Sequence, residues 1–176
     1  MNLFDYMREN TMEKEAPLAS RLRPRTLDEV VGQQHIIGKD KLLYRAIKAD
    51  KLGSLIFYGP PGTGKTTLAK VIANTTSAEF KQINATVAGK KDMEEIVAAA
   101  KDSRGMYGKR TILFVDEIHR LNRAVEEVLY PAMEDYAIDI IIGKGPSANS
   151  IRLDLPRFTL IGATTRAGQL SAPLRD

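Results

Sequence analysis

Apolar residues along this chain follow two patterns that alternate from one end to the other. Short runs rich in apolar and β-branched residues are typical of buried strands, and they fall at 54–58, 111–115 and 158–162, with a shorter strand predicted over 79–83. Between them, apolar residues recur every three or four positions, as on the inner face of a helix. This spacing predicts helices over 41–51, 67–73, 92–101 and 122–129. Strands that alternate with helices predict an α/β fold whose parallel sheet is flanked by helices on both faces.

Local signals give the predicted helices their faces and ends. The inward residues are Leu42, Leu43, Ala46 and Ile47 in the first helix and Met93, Ile96, Val97 and Ala100 in the third. Gly53 is expected to stop the first helix. Thr26 is expected to cap a short helix over 27–31. Asn122 is expected to cap the helix over 122–129. Pro131 is expected to kink or restart that last helix.

One insert departs from the alternation of strands and helices. Ile138, Ile140 and Ile142 fall on every second position of 137–142, and apolar and polar residues alternate in 150–155. A Gly- and Ser-containing segment separates the two stretches. This pattern predicts a β-hairpin with a long loop, spanning 137–155. Its alternating apolar residues are Ile138, Ile140, Ile142, Ile151, Leu153 and Leu155. Outside the sheet they would be exposed unless a partner or a neighbouring subunit covers them; a hairpin without a binding role is the alternative.

The first twenty residues are polar and lack periodicity, which predicts a mobile N-terminal arm over 1–20 and a single folded domain over 21–176. Arg23 is expected to be extended because Pro24 follows it. No apolar run approaches the ~20 residues of a membrane span, and Met1–Asp5 does not begin a signal peptide. We therefore expect a cytoplasmic protein without membrane contact.

Composition narrows the chemistry further. The chain has 176 residues, no cysteine and two histidines, which excludes disulfides and cysteine-based zinc sites and argues against a histidine metal cluster. A net charge of +4 permits nucleic-acid contact without arguing for it. The densest basic stretch, Lys101 to Arg110, is interpreted as a solvated loop. Aromatic residues make up only 6% of the chain and do not alternate with basic ones, so no base-stacking surface is visible.

The most specific motif is the segment from Gly59 to Thr66, which fits the phosphate-binding P-loop pattern G-x-x-x-x-G-K-[ST]. It lies between a predicted strand and a predicted helix, where N–H groups at the helix start favour an anion. Lys65 can reach the β- and γ-phosphates of ATP, and the Thr66 hydroxyl can bind Mg²⁺. The predicted nucleotide-binding residues here are Gly59, Pro60, Pro61, Gly62, Thr63, Gly64, Lys65, Thr66 and Thr67. The alternative is a Gly/Pro turn between a strand and a helix.

A second motif completes the predicted ATP site. The apolar strand over 111–115 ends in two carboxylates, Asp116 and Glu117. Ligands of α/β sheets bind beyond the carboxyl ends of strands, which would bring both residues near the P-loop. Asp116 would hold Mg²⁺ through water, and Glu117 would orient and deprotonate the attacking water. Such a pair favours ATP hydrolysis over ATP binding alone; a strand that simply turns into solvent is the alternative.

Together, the P-loop, the Asp-Glu strand end and the segment Gly162–Thr165 resemble the AAA+ ATPases. The resemblance implies a P-loop NTPase sheet with a hairpin insert. It also implies that a polar residue ending the strand after the Asp-Glu strand senses the γ-phosphate. By position this is Thr164, with Thr165 the second choice, and an ordinary pair of threonines at a strand end is the alternative. Lys65, Glu117 and Thr164 are therefore the expected catalytic residues.

Within the AAA+ proteins, the chain resembles two families in two parts. From residue 1 to about 109 it is similar to RarA, also called MgsA, a replication-associated ATPase, through Ala16–Pro24, Asp28–Gln33 and Leu52–Ser54. From about 114 to 176 it is similar to RuvB, the Holliday junction branch migration motor, through Glu117–Asn122, Val125–Tyr136, Ile151–Pro156 and Ala163–Gly168. RarA-like chains lack the hairpin insert. A natural fusion and an assembly artefact are both compatible with this division.

The resemblance implies further roles. Arg23, Pro24, Val31 and Gly32 correspond to the segment that lines the adenine pocket in both families, although ordinary packing is their alternative role. The hairpin over 137–155 corresponds to the element with which RuvB binds RuvA. Family members assemble into rings, which implies a homo-oligomer, a hexamer at full length, acting on four-way-junction DNA.

The resemblance also implies that a helical lid and a DNA-binding winged helix lie beyond Asp176, so a truncated ATPase subdomain is expected. The arginine that completes a neighbour's site would lie just beyond Asp176, with Arg175 a nearby candidate. Three functions remain open: a RuvB-like DNA repair and recombination motor, a RarA-like ATPase at stalled replication forks, and an inactive nucleotide-binding fragment.

Overall fold

The structure is a computed structural model that describes residues 17–142 and 149–175. The arm predicted over 1–20 therefore lies mostly outside the described residues, and Leu18–Arg21 forms a single helical turn rather than part of an irregular arm. Among the described residues, no helix is both long and apolar enough to cross a bilayer.

The helices and strands alternate as the sequence predicts. The helices are α1 (Leu18–Arg21), α2 (Gln34–Ile37), α3 (Leu42–Lys48), α4 (Lys65–Thr75), α5 (Lys90–Tyr107), α6 (Arg123–Glu134) and α7 (Ala172–Arg175). The strands are β1 (Leu55–Tyr58), β2 (Glu79–Asn84), β3 (Thr111–Asp116), β4 (Ala137–Ile142), β5 (Asn149–Asp154) and β6 (Thr159–Thr164). Short 3₁₀ helices occupy Leu27–Glu29, Ile118–Arg120 and Ala167–Gln169.

Four strands form a parallel sheet in the order β1-β6-β3-β2. Side chains of β3 alternate between its two faces, as strand geometry requires. Ile112 and Phe114 pack with α3 and α4, while Leu113 and Val115 pack with α5 and α6. The parallel sheet with helices on both faces is thus confirmed, and the fold is that of an α/β P-loop NTPase. β1 is only half-buried, and Tyr58 is 68% exposed, whereas the sequence predicts a buried strand.

Local signals for helix ends have mixed outcomes. Asn122 caps α6 as predicted, since its side chain accepts a hydrogen bond from the Val125 N–H at 3.0 Å. Thr26 makes no such bond, and only a short 3₁₀ helix follows it. Pro131 lies inside α6, which continues to Glu134 without the predicted restart.

Two other predictions about helices are wrong. Leu42 does not share the buried face of α3: it is 77% exposed, while Ile47 on the same helix is 1% exposed. Most of the basic stretch from Lys101 is not a loop, because α5 continues to Tyr107 before Gly108 ends it at a φ of 63°. Arg110, after the helix, donates a hydrogen bond to the Asp50 carbonyl at 2.7 Å. Lys101 and Arg104 therefore lie on the helix, whereas Lys109 and Arg110 lie in the short connection between Gly108 and β3.

The predicted hairpin is confirmed as an antiparallel β4–β5 pair, with Ile138 opposite Leu153 and Ile140 opposite Ile151. Its base is not exposed as the sequence suggests. Ile138 and Leu155 are 3% and 9% exposed, and Leu153 packs against the same cluster. The cluster also contains Val97 of α5 and Ala132 of α6. The domain itself thus covers the base of the hairpin; the side chains of Ile140, Ile142 and Ile151 lie outside the described part.

We predict that two substitutions on α3 will change the free energy of unfolding by very different amounts. Ile47→Ala removes a fully buried side chain and should lower the free energy of unfolding by about 2–5 kcal/mol. Leu42→Ala should change it by less than about 0.5 kcal/mol, because Leu42 is exposed. Urea denaturation followed by circular dichroism measures both. Equal losses would contradict the burial described for this helix.

Candidate nucleotide-binding site

The phosphate-binding segment has the backbone shape that its glycines predict. β1 ends at Tyr58 and α4 begins at Lys65, so the loop joins a strand directly to a helix start. Gly62 and Gly64 have φ values of 78° and 84°, in the left-handed region where a Cβ atom is unfavourable. The loop can thus turn tightly and present N–H groups of the first helical turn, which have no partner within the helix.

The Lys65 side chain lies over this loop. Its Nζ donates hydrogen bonds to the carbonyl oxygens of Gly59 and Pro60, each at 2.7 Å. The Thr63 hydroxyl donates to the same Pro60 carbonyl at 2.9 Å. Thr66 and Thr67 follow Lys65 in the first turn of α4 and are half-buried. All nine residues predicted from the motif therefore lie in one continuous loop and helix start.

The second motif ends at the same edge of the sheet. β6 lies between β1 and β3, with Tyr58 paired to Thr164 and Val115 paired to Gly162. Neighbouring strands are ~4.8 Å apart, so the ends of β1 and β3 are roughly 10 Å apart. Asp116, the last residue of β3, thus lies close to the level where the P-loop begins. The strand register brings together the two motifs that the sequence separates.

Glu117 occupies an unusual backbone conformation for a glutamate. Its φ and ψ are 52° and 42°, in the left-handed region, and its N–H bonds to the Asp116 carboxylate at 3.1 Å. The Glu117 carboxylate accepts a hydrogen bond from the Thr165 hydroxyl at 3.4 Å. The same carboxylate oxygen lies 3.5 Å from Nδ1 of His119. Its side chain is 32% exposed, so a water molecule can reach this carboxylate from solvent.

Thr164 and Thr165 have different surroundings. Thr164 is fully buried, and its hydroxyl contacts His119 Nδ1 at 2.8 Å and accepts the Arg166 N–H at 2.9 Å. Thr165 is half-buried and its hydroxyl reaches Glu117. The residue ranked second from the sequence is thus the one in direct contact with the candidate base.

His119 is the residue that sequence reasoning missed. Its side chain is 2% exposed, although it lies on a short 3₁₀ helix. From the sequence, His119 was one of two histidines, too few for a histidine metal cluster. Its position three residues after Asp116 was the available signal, but only the fold shows that Thr164 lies beside it.

The predicted Mg²⁺ site has two protein oxygen donors, one from Thr66 and one from Asp116. Within the described residues, no three acidic or histidine side chains converge on one point. Mg²⁺ in nucleotide sites takes one or two protein oxygens and completes its shell with phosphate oxygens and water. The Thr66 hydroxyl at the start of α4 and the Asp116 carboxylate at the end of β3 are oxygens of that kind, and their binding of Mg²⁺ remains a prediction.

The segment predicted to line an adenine pocket packs beside the P-loop helix. Leu27 is buried in one cluster with residues of α4, and the Asn74 side chain donates to the Arg25 carbonyl at 3.5 Å. The predicted residues themselves face outward: Arg23 and Gly32 are exposed, Pro24 is half-buried, and Val31 is 95% exposed. Their adenine contact remains a prediction.

Comparison with known proteins decides the family. The family described as the Holliday junction DNA helicase RuvB P-loop domain matches residues 22–176. The chain belongs to this RuvB family. The match includes most of the part whose motifs also resemble RarA.

Curated RuvB relatives agree with this assignment. The RuvB subunit of the Holliday junction branch migration complex from Clostridium kluyveri is 54% identical over 158 residues, covering 88% of this chain and 43% of the relative. The corresponding subunit of Fusobacterium nucleatum is 50% identical over 168 residues, covering 94% and 48%. The chain thus spans less than half the length of these RuvB proteins.

Solved RuvB structures share the fold. The Thermotoga maritima RuvB Holliday junction branch migration motor superposes with a TM-score of 0.68 at 40% identity, covering 88% of this chain and 45% of that one. A mutant of the same protein gives a TM-score of 0.71 at 42% identity, covering 88% and 46%.

We predict that Lys65→Ala will weaken ATP binding by about tenfold to a hundredfold, because a hydrogen bond to a charged group contributes ~1.5–3 kcal/mol. Lys70→Ala is the matched control, since Lys70 lies on the same helix with its Nζ 5.9 Å from the centre of the Phe80 ring. Titration calorimetry measures both affinities. Unchanged binding after Lys65→Ala would refute the phosphate site.

Proposed function

We propose that this chain is the ATP-hydrolysing motor core of a RuvB-type helicase that drives branch migration at Holliday junctions, in DNA recombination and repair. One observation carries the proposal. In this RuvB-family domain the P-loop follows β1 and the Asp-Glu pair lies at the end of β3, and only β6 lies between these two strands. Because its substrate is DNA, we place the protein in the cytoplasm of a bacterial cell.

The P-loop residues bind and orient the nucleotide. Lys65 exchanges the Gly59 and Pro60 carbonyls for β- and γ-phosphate oxygens, which are stronger acceptors because they are charged. N–H groups at the start of α4 add partial positive charge toward the phosphates. Thr66 and Asp116 hold Mg²⁺, which neutralises charge that develops on the phosphate oxygens.

Glu117 acts as the general base. Its carboxylate accepts a proton from a water molecule as that water attacks the γ-phosphorus and the bond to the β-phosphate oxygen breaks. The products are ADP and phosphate, with the proton passing from Glu117 to solvent. Thr164 and Thr165 are the candidates for sensing the γ-phosphate; the contact between Thr165 and Glu117 supports the second, and the buried bonds of Thr164 support a role for it inside the site.

The assembly is proposed from the RuvB relatives. The chain forms a homo-oligomeric ring, a hexamer at full length, in which an arginine from one subunit completes the site of the next. The hairpin over 137–155 docks a RuvA-like protein, and the buried base formed by Ile138 and Leu155 supplies a rigid connection to α5 and α6. A single domain unit over 21–176 is part of the same proposal.

The proposed activity is tested by ATP turnover with and without four-way-junction DNA and a RuvA-like protein. The assay compares this chain with a longer form that continues beyond Asp176. We expect stimulation by junction and partner in the longer form, because an arginine supplied in trans raises turnover by about 10³–10⁵ in related P-loop enzymes. Bound ATP without stimulation in either form would favour a RarA-like ATPase or an inactive nucleotide-binding fragment.

Glu117→Gln tests the base separately. The amide keeps the size of the side chain but cannot accept the proton, so turnover should fall by about 10²–10⁴. ATP affinity should stay within about twofold, because Glu117 is assigned no contact with bound ATP. Single-turnover hydrolysis and equilibrium binding measure the two effects, with Glu127→Gln on the exposed side of α6 as control. Parental turnover in Glu117→Gln would eliminate this base.

A further inference from the structure

His119 occupies a position that the proposed reaction does not yet use. It lies on the 3₁₀ helix Ile118–Arg120, directly after the Asp-Glu strand end, and its side chain is 2% exposed. One ring nitrogen, Nδ1, lies 2.8 Å from the Thr164 hydroxyl oxygen and 3.5 Å from the Glu117 carboxylate. A buried polar ring thus lies between two predicted catalytic groups.

The surroundings of Nδ1 determine where its proton lies. A bare nitrogen lone pair facing the Glu117 carboxylate at 3.5 Å would be repelled, whereas an N–H group there is attracted. An Nδ1–H donates mainly to the Thr164 hydroxyl, the nearer acceptor. Thr164 also accepts the Arg166 N–H at 2.9 Å, so both lone pairs of its hydroxyl are occupied. The orientation of the Thr164 hydroxyl is therefore fixed by two contacts, one with His119 and one with the Arg166 N–H.

The contacts continue to the phosphate-binding loop. The Thr164 carbonyl oxygen accepts the Gly59 N–H at 3.2 Å, and Gly59 is the first residue of the P-loop. Its own carbonyl accepts a hydrogen bond from Lys65. One path of direct contacts thus runs from Gly59 of the P-loop, through Thr164 and His119, to the Glu117 carboxylate.

We propose that His119 is a positioning residue whose Nδ1–H holds the Glu117 carboxylate and the Thr164 hydroxyl in one arrangement, tying the base to the P-loop. The inference rests on the proposed ATPase function. It assigns His119 no contact with the nucleotide. Loss of the ring should therefore lower turnover through misplacement of Glu117 and leave ATP binding nearly intact.

Two substitutions separate this role from simple packing. The side-chain amide of asparagine begins at the same distance from the backbone as Nδ1, so His119→Asn retains a donor toward Thr164. His119→Gln carries its amide one bond further, at the level of the other ring nitrogen. We expect kcat to fall about tenfold to a hundredfold in His119→Gln and in His119→Ala. The KM for ATP should stay within about twofold of the parent value. In His119→Asn the loss of kcat should be much smaller. His35→Asn, on an exposed residue, is the control.

A spectroscopic test needs no turnover. The chain has only two histidines, His35 and His119, so ¹⁵N-histidine labelling gives a simple long-range proton–nitrogen spectrum. Loss of signals in His35→Asn assigns the remaining set to His119. We expect a protonated Nδ1 in His119 and a shift of its signal in Thr164→Val, which removes the bonded hydroxyl while keeping the side-chain shape.

The outcomes separate this inference from the proposed function. ATP binding without hydrolysis in both this chain and the longer form overturns the ATPase proposal, while the spectrum still decides the His119 contact. A bare Nδ1 in His119 overturns the inference, and so does equal kcat loss in the Asn and Gln variants at matched thermal stability. Weakened ATP binding in His119→Asn with unchanged kcat also overturns it.

Discussion

Backbone hydrogen bonds between β1, β6 and β3 hold three strand ends level at one edge of the sheet. Parallel strands cannot slip by one residue without moving every buried side chain to the opposite face. Ile112 and Phe114 pack on one face of β3, and Leu113 and Val115 on the other, so both faces fix the same register. That register determines where the P-loop begins and where Asp116 ends its strand. The whole candidate site depends on it.

Gly162 of β6 has no side chain, which allows Ile118 to pack closely against the sheet. A Cβ atom at Gly162 would lie 2.7 Å from side-chain atoms of both Ile118 and Ile56. Because Gly162 has none, Ile118 packs against the sheet and is fully buried. Ile118 is flanked by Glu117 and His119, so its burial fixes the turn that carries both. Packing beneath the site and polar contacts within it are thus parts of one arrangement.

The backbone at Glu117 shows that this arrangement is specific. A non-glycine residue in the left-handed region costs on the order of 1–3 kcal/mol, and Glu117 has a φ of 52°. Neighbouring contacts compensate: its N–H bonds to Asp116, its side chain accepts Thr165, and Ile118 is buried beside it. Strain of this kind is common where a side chain must point in one direction for chemistry.

The α/β fold, the P-loop, the Asp-Glu pair and the hairpin could all be predicted without coordinates, because each follows from the local spacing of residue types. Predictions of burial were wrong where burial depends on distant neighbours. Leu42 fits the periodic face of α3 but is exposed. Ile138 and Leu155 were expected to be exposed but are covered by α5 and α6. Only the tertiary structure brought His119 to Thr164, 45 residues away. Helical and strand periods report which side of an element is apolar; the contacts between side chains of different elements are decided by strand order and packing, which no local pattern encodes.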